Sequence, residues 1–125
     1  YGNTSESVIK IVNENHELAA GYGLNSEITL VTGSYNELAF LTYSVPQVDH
    51  IPIGVLVSDE SKVVVMGVEK GTVLYNEPDV KDGSVVSQSR VATVGISFAA
   101  NKFITDDGFN LIDAGINWIL SEENK

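Results

Sequence analysis

Apolar residues occur along this chain mainly in short runs separated by glycine, asparagine, serine or proline, and these runs have the length of β-strands. In the run at 90–98, Ala92, Val94 and Ile96 alternate with small or polar residues, which is the period of a strand with one buried face. The strands predicted in this way are 8–12, 27–32, 37–45, 51–57, 62–68, 72–75 and 90–98.

Polar, turn-rich segments separate the predicted strands. Residues 1–7 predict a leading loop, and residues 13–23 predict at most one helical turn that is ended by glycines. The four-residue turn 33–36 predicts that its two flanking strands form an antiparallel hairpin. Residues 69–88 predict a long, mostly polar connection that contains only the short strand 72–75.

The run at 62–68 is apolar on both of its alternating sets of positions. A strand of this kind is usually central in its sheet and covered on both faces. One set consists of Val64, Met66 and Val68, and the other of Val63 and Val65.

The strongest helical pattern lies at the end of the chain, at 105–120, where Thr105, Asp106 or Asp107 can cap the first turn. Its polar residues are confined to a narrow stripe. A helix that is apolar over most of its circumference must be covered on more than one side. The apolar rows are Phe109, Ile112, Ile116 and Ile119, and beside them Leu111, Gly115 and Trp118.

The composition predicts one acidic, folded domain, residues 1–125, because 43% of the residues are hydrophobic and 19% are charged. The net charge of −10 and the presence of a single arginine, Arg90, argue against nucleic-acid and anionic-membrane partners. No apolar run approaches the roughly 20 residues that span a bilayer, so membrane insertion is not expected. The absence of cysteine excludes disulfides and a cysteine nucleophile. A start at Tyr1, with neither an initiator Met nor a signal peptide, indicates a piece of a longer protein.

Candidate chemistry is sparse. His16 and His50 are the only histidines, and His16 is the weak candidate for a catalytic residue because imidazole can act as a general base or a metal ligand. Asp79 and Asp82 are weak candidates for a calcium loop, although Lys81 stands where a ligand is needed. Neither a nucleophile elbow nor a phosphate-binding glycine motif occurs, and no cofactor is predicted.

Several segments, in order along most of the chain, resemble trehalose-utilisation-type (ThuA-like) domains of the class I glutamine-amidotransferase-like, flavodoxin-like group. They are Val68-Glu-Lys-Gly71, the strand 90–98, Thr105-Asp-Asp-Gly-Phe109 and the helix segment LIDAGINWIL; the segment 11–21 also resembles the family, except that Glu17 replaces its proline. The resemblance implies a three-layer α/β fold, of which this chain is the C-terminal portion and lacks an N-terminal βαβ half. It also implies that glutaminase chemistry is absent, since the nucleophilic cysteine of the superfamily is missing.

These observations predict a non-catalytic accessory or assembly domain of an extracellular or cell-surface protein, with a cytoplasmic location as the alternative. The expected partner is another protein chain or an N-terminal fragment that completes the sheet, or a second copy in a homodimer. One alternative function is a sugar-related hydrolase or isomerase with its site near His16. The second alternative is a carbohydrate- or calcium-binding module.

Overall fold

Strands dominate the first part of the chain and one long helix ends it, in a computed structural model that describes residues 2–32, 38–42, 50–76, 84–96 and 104–123. In chain order the elements are β1 (Gly2–Thr4), β2 (Val8–Ile11), a 3₁₀ helix (Glu17–Ala19), β3 (Glu27–Thr29), β4 (Leu38–Thr42), β5 (Ile51–Leu56), β6 (Asp59–Val68), β7 (Val73–Asn76), β8 (Ser84–Val86), β9 (Val91–Val94) and α1 (Asp106–Glu123).

The ten-residue strand β6 is the centre of the main sheet. One edge of β6 pairs with β5, and beyond β5 lie β2 and then β3. The other edge is shared: β4 pairs with its first half at Lys62 and Val63, and β9 pairs with its second half from Val65 to Val68. β1 lies outside β4, and β7 and β8 form a separate two-stranded ribbon.

Every strand pair in the described part of the chain is antiparallel. The predicted mixed α/β class, the antiparallel pairing and the long C-terminal helix are therefore confirmed. The flavodoxin-like arrangement is not confirmed, because that fold is built on a parallel sheet with helical crossovers.

The prediction that 62–68 forms a central strand covered on both faces is confirmed, since every residue from Val63 to Val68 is buried. The predicted alternation of its side chains is wrong. Gly54 of β5 pairs with Val65 and the next residue, Val55, pairs with Val63, so Val64 is an extra residue of β6, and a β-bulge of this kind turns two successive side chains to one face. As a result Val64 and Val65 both belong to the main core, whereas Val63 joins Met66, Val68 and Val55 in a second apolar cluster on the other face.

The predicted hairpin between strands 27–32 and 37–45 is wrong. β3 pairs with β2, and β4 pairs with β1 and β6. The reason lies after Thr29, where the backbone finds distant partners: the Leu30 amide donates to the Ser7 carbonyl, and the Leu30 carbonyl accepts from the Thr105 amide. The predicted turn 33–36 lies outside the described residues.

Three further segments differ from the sequence prediction. The expected leading loop contains β1, which pairs with β4. The expected connection 69–88 contains two paired strands, β7 and β8, instead of one. Within the strand expected at 90–98, β9 covers Val91–Val94 and a single bridge joins Ile96 to Leu38, while residues 97 and 98 lie outside the described residues.

The helical layer covers one face of the sheet. α1 begins as predicted, with Thr105 as its cap: the Thr105 hydroxyl accepts from the Gly108 amide at 2.9 Å and donates to the Thr29 carbonyl at 2.6 Å. Leu111 and Trp118 are buried in the core together with Leu18 of the 3₁₀ helix. Gly67 of β6 permits this close approach, because a Cβ there would lie 2.5 Å from Leu18 Cδ1 and 3.2 Å from the Trp118 ring.

Candidate functional site

His16 caps the 3₁₀ helix. Its Nδ1 accepts a hydrogen bond from the Leu18 amide at 3.1 Å. The ring also packs edge-on against Trp118, with 5.1 Å between ring centroids and an interplanar angle of 67°. The nearby carboxylate of Glu14 accepts from the Leu24 amide at 2.9 Å. These contacts give His16 a structural role in the layer that covers the sheet.

Arg90 also contacts Trp118, and it binds the last turns of α1. Its guanidinium carbon lies 4.8 Å from the centre of the Trp118 ring, and Nη1 donates to the Trp118 carbonyl and to Ser121 Oγ, both at 2.9 Å. Its Nε donates to Glu69 at 2.8 Å. A cation near the C-terminal end of a helix opposes the negative end of the helix dipole. Arg90 therefore fastens the last turns of α1 to the start of β9.

Of the other sequence candidates, the structure describes only His50. His50 is half-buried in a groove of about 330 Å³ whose other walls include Val12, Pro52, Val55 and Glu60, and Glu60 is paired with Lys10 at 2.8 Å. Asp79 and Asp82 lie outside the described residues. Among the residues that the structure describes, no group of three or more His, Asp or Glu side chains is placed to hold a metal ion.

The most distinctive surface feature is a row of large apolar side chains along the outer side of α1. Phe109, Ile116 and Leu120 are 47%, 51% and 49% exposed, and Ile112 and Ile119 are half-buried beside them. We call these five residues the α1 stripe. They recur at three- and four-residue intervals, so they lie on one side of the helix. The sequence predicted that α1 must be covered on more than one side, and in this structure the stripe side is only partly covered.

A groove of about 220 Å³ runs between the α1 stripe and strand β9. Its walls come from both elements, and Gly115 leaves room between them because it has no side chain. We call it the α1–β9 groove. Its lining residues are Ala92, Val94, Ile112, Gly115, Ile116 and Ile119.

All the charged residues of α1 are acidic. α1 contains no lysine or arginine, whereas its acidic residues are Asp106, Asp107, Asp113, Glu122 and Glu123. The opposite side of the helix is polar and already has a partner: Tyr22 donates its hydroxyl to Asp107 and accepts from Asn110 Nδ2 at 3.1 Å. Burial raises the pKa of Tyr22, and the Asp107 carboxylate raises it further while the Asn110 bond lowers it. One side of α1 is thus buried, one is tied by polar bonds, and the third is the apolar stripe.

The chain was compared with protein-family models, with curated proteins and with solved structures, and none of the three comparisons found a match. The helices that the structure describes include none that is long and apolar enough to cross a membrane.

Proposed function

We propose that this domain is a non-catalytic accessory or assembly domain of an extracellular or cell-surface protein, and that it acts by packing another polypeptide against the α1 stripe. The observation that carries the proposal is the half-exposed row of Phe109, Ile116 and Leu120 next to the α1–β9 groove. Contiguous exposed apolar surface of this kind is typical of sites where a protein meets a partner.

The size of the effect supports a partner that also contributes polar contacts. Completing the burial of a half-exposed large apolar side chain is worth about 1 kcal/mol, so the three most exposed residues of the stripe provide about 3 kcal/mol. Association itself costs at least about 4 kcal/mol in lost translational and rotational freedom. A stable complex therefore needs further hydrogen bonds or charge pairs beside the stripe.

The alternative enzyme function has less support. The Nδ1 atom of His16 is occupied by the Leu18 amide, and its ring lies against Trp118. These bonds explain why a histidine stands at this position without any reaction. No observation in the described part of the chain favours the carbohydrate- or calcium-binding alternative.

The resemblance to trehalose-utilisation-type domains stays a prediction, as does the extracellular location that it suggests. Its support is the order of the last two elements, an Arg90-led strand followed by a helix with a buried tryptophan. The antiparallel sheet is evidence against a flavodoxin-like half-domain.

The test uses a photo-crosslinking amino acid placed at Ile116 in the intact protein expressed in its source, with Glu27 as the matched exposed position outside the stripe. We expect a discrete protein adduct from position 116 that is absent from position 27. The purified adduct partner must then bind the isolated domain, and Phe109→Ser must weaken that binding at least tenfold, whereas Asn117→Ser on the polar side of the same helix must not. Equal amounts of adduct at both positions, or a binding affinity that Phe109→Ser leaves unchanged, would refute the proposal.

A further inference from the structure

Strand β9 has one edge that faces away from the sheet. The Gly95 amide donates to the Val64 carbonyl at 2.9 Å, and Gly95 and Val64 continue the register in which Val94 faces Val65. In an antiparallel pair alternate residues bond to the partner strand, so Val91 and Thr93 complete the ladder to β6. The peptide groups of Ala92 and Val94 are consequently directed away from β6, towards a side where the described residues place no strand.

The same two residues also line the α1–β9 groove with their side chains. On the helix side, the groove is lined by Ile112, Ile116 and Ile119, which therefore lie beside the outer edge of β9. On the opposite face, Val91 is 43% exposed at the same edge. Among the described residues, no further strand continues either apolar layer beyond β9.

Resting on the proposed function, we propose that the partner binds as an extended strand that adds to the outer edge of β9 beneath the α1 stripe, and that this strand is apolar on its helix-facing side and carries lysine or arginine. The Ala92 amide and carbonyl and the Val94 amide would form the new ladder, while the Val94 carbonyl already accepts from Ile96. A peptide strand added to a sheet edge gains affinity from main-chain hydrogen bonds and specificity from alternate side chains.

Charge identifies the chemistry of the partner and argues against a second copy of the chain. Two copies joined through β9 would place two α1 helices side by side, each with five acidic residues and no basic one. The net charge of −10 per chain adds to this repulsion. A strand with basic residues is attracted by the same carboxylates. One of them, Asp113, is exposed beside the stripe.

The geometry favours a strand over a helix as the occupant. The floor of the groove is the edge of a strand, and a helix lying there would bury the outward peptide groups of Ala92 and Val94 without giving them partners. Each buried amide or carbonyl left without a hydrogen bond costs about 1–3 kcal/mol. An added strand satisfies these groups and covers the stripe at the same time.

The test attaches a candidate strand to the domain itself, after Lys125. Arg90, at the start of β9, is bonded to Trp118 and Ser121, so the last turns of α1 lie close to the edge to be filled. A flexible linker of about ten Gly and Ser residues has a mean span of roughly 17 Å and provides a millimolar effective concentration. Four fusions are compared: an alternating Val/Thr strand with Lys at both ends, the same strand with Glu at both ends, the Lys strand interrupted by Pro, and an amphipathic helical peptide with Lys.

Hydrogen exchange of the Ala92 and Val94 amides and the methyl signals of Ile116 are measured by NMR. We expect the Lys-ended strand to slow exchange at Ala92 and Val94 at least tenfold relative to the untethered domain, the Glu-ended strand to slow it less, and the Pro-interrupted strand to leave it unchanged. Salt at 0.5 M should reduce the difference between the Lys and Glu strands, since it screens exposed charges.

Some outcomes overturn the inference alone. They are protection of Ala92 and Val94 in a homodimer of the untethered domain, equal protection by the Lys and Glu strands at low salt, and displacement of the Ile116 methyl signals by the helical peptide without slower exchange at β9. In the last case the stripe still binds a polypeptide, so the proposed function stands. If no fusion affects either β9 or Ile116, the inference fails, and the photo-crosslinking at Ile116 decides the proposed function separately.

Discussion

Gly95 stands at the junction where β4, β6 and β9 meet, and replacing it by alanine should be the most damaging single-methyl change in the described sheet. An added Cβ would lie 2.0 Å from the Ala39 carbonyl oxygen and 3.2 Å from the Val64 carbonyl oxygen. Both are backbone atoms, so no side chain can rotate away. The same carbonyls belong to the strands that Gly95 joins, because its amide donates to Val64 and its own carbonyl accepts from the Ala39 amide at 2.8 Å.

The expected loss follows from two contributions. Overpacking that shifts the backbone costs about 1–3 kcal/mol, and weakening two backbone hydrogen bonds costs about 1 kcal/mol each, so Gly95→Ala should reduce the free energy of unfolding by about 3–5 kcal/mol. At about 4 °C for each kcal/mol in a domain of this size, the melting temperature should fall by about 12–20 °C.

Gly115→Ala is the matched control, since it adds the same methyl group to a glycine in α1. Its Cβ would lie 3.4 Å from Ala92 Cβ and 4.0 Å from Leu18 Cδ2, which are ordinary contact distances. Glycine inside a helix is disfavoured by about 1 kcal/mol relative to alanine, so this variant should be as stable as the wild type or up to 1 kcal/mol more stable.

Urea unfolding followed by the fluorescence of Trp118, the single tryptophan and only 3% exposed, measures both variants. Circular dichroism of the helix provides a second probe of the same transition. A Gly95→Ala variant within 1 kcal/mol of wild type would refute the packing at this junction. A Gly115→Ala variant that loses as much as Gly95→Ala would refute the stated difference between the two sites.

Four further predictions concern single residues. Each loss is a decrease in the free energy of unfolding, measured by equilibrium unfolding. His16→Ala should lose about 1 kcal/mol because the cap of the 3₁₀ helix is removed, and His16→Asn should retain most of it. Arg90→Lys should lose about 1 kcal/mol, since a lysine cannot stack on the indole and bond the helix end at once. Leu111→Ala should lose about 2–5 kcal/mol, whereas Ile116→Asn in the exposed stripe should lose less than 1 kcal/mol and reduce the binding of an apolar dye. The pKa of Tyr22 is raised in the folded state, so its contribution to stability is present below about pH 10 and is lost as the pH rises through the folded-state pKa. Tyr22→Phe should therefore make the free energy of unfolding less dependent on pH in this alkaline range. An unchanged dependence would contradict the prediction.

The parts of the fold that could be predicted from sequence are those fixed by local chemistry. The Thr105 cap and the spacing of Leu111 and Trp118 define α1 within a few residues, and the unbroken apolar run at 62–68 identifies the central strand. The hairpin after Thr29 failed because the Leu30 peptide bonds to residues far away in sequence. The residues next to Leu30 in the sequence give no indication of such a bond.

The sequence predicted the candidate surface only in part, as a helix with more apolar side chains than one covered side can bury. The sequence indicated that α1 is too apolar to be covered on one side, but the two apolar rows look alike, and only packing decides that Leu111 is buried while Ile116 is exposed. The bulge at Val64 was equally hidden, because three successive valines give no sign of which residue is the extra one. The stacking of Arg90 on Trp118 was missed as well, although the single arginine of the chain was a signal that could have drawn attention to it.

The bond between Thr105 and Leu30 also bears on how quickly the domain forms. It joins residues 75 positions apart, whereas the pairs between β1 and β4 are 34 to 38 positions apart and those between β6 and β9 are 23 to 29 positions apart. Folding rates fall as the mean sequence separation of contacts rises, and mixed domains dominated by non-local pairing fold in milliseconds to seconds. We expect α1 to be among the last elements to dock, because both of its anchoring points, Leu30 and Arg90, must be in place first. During synthesis the apolar helix therefore spends its most exposed period after the sheet has formed, when an edge strand is available to receive a neighbour.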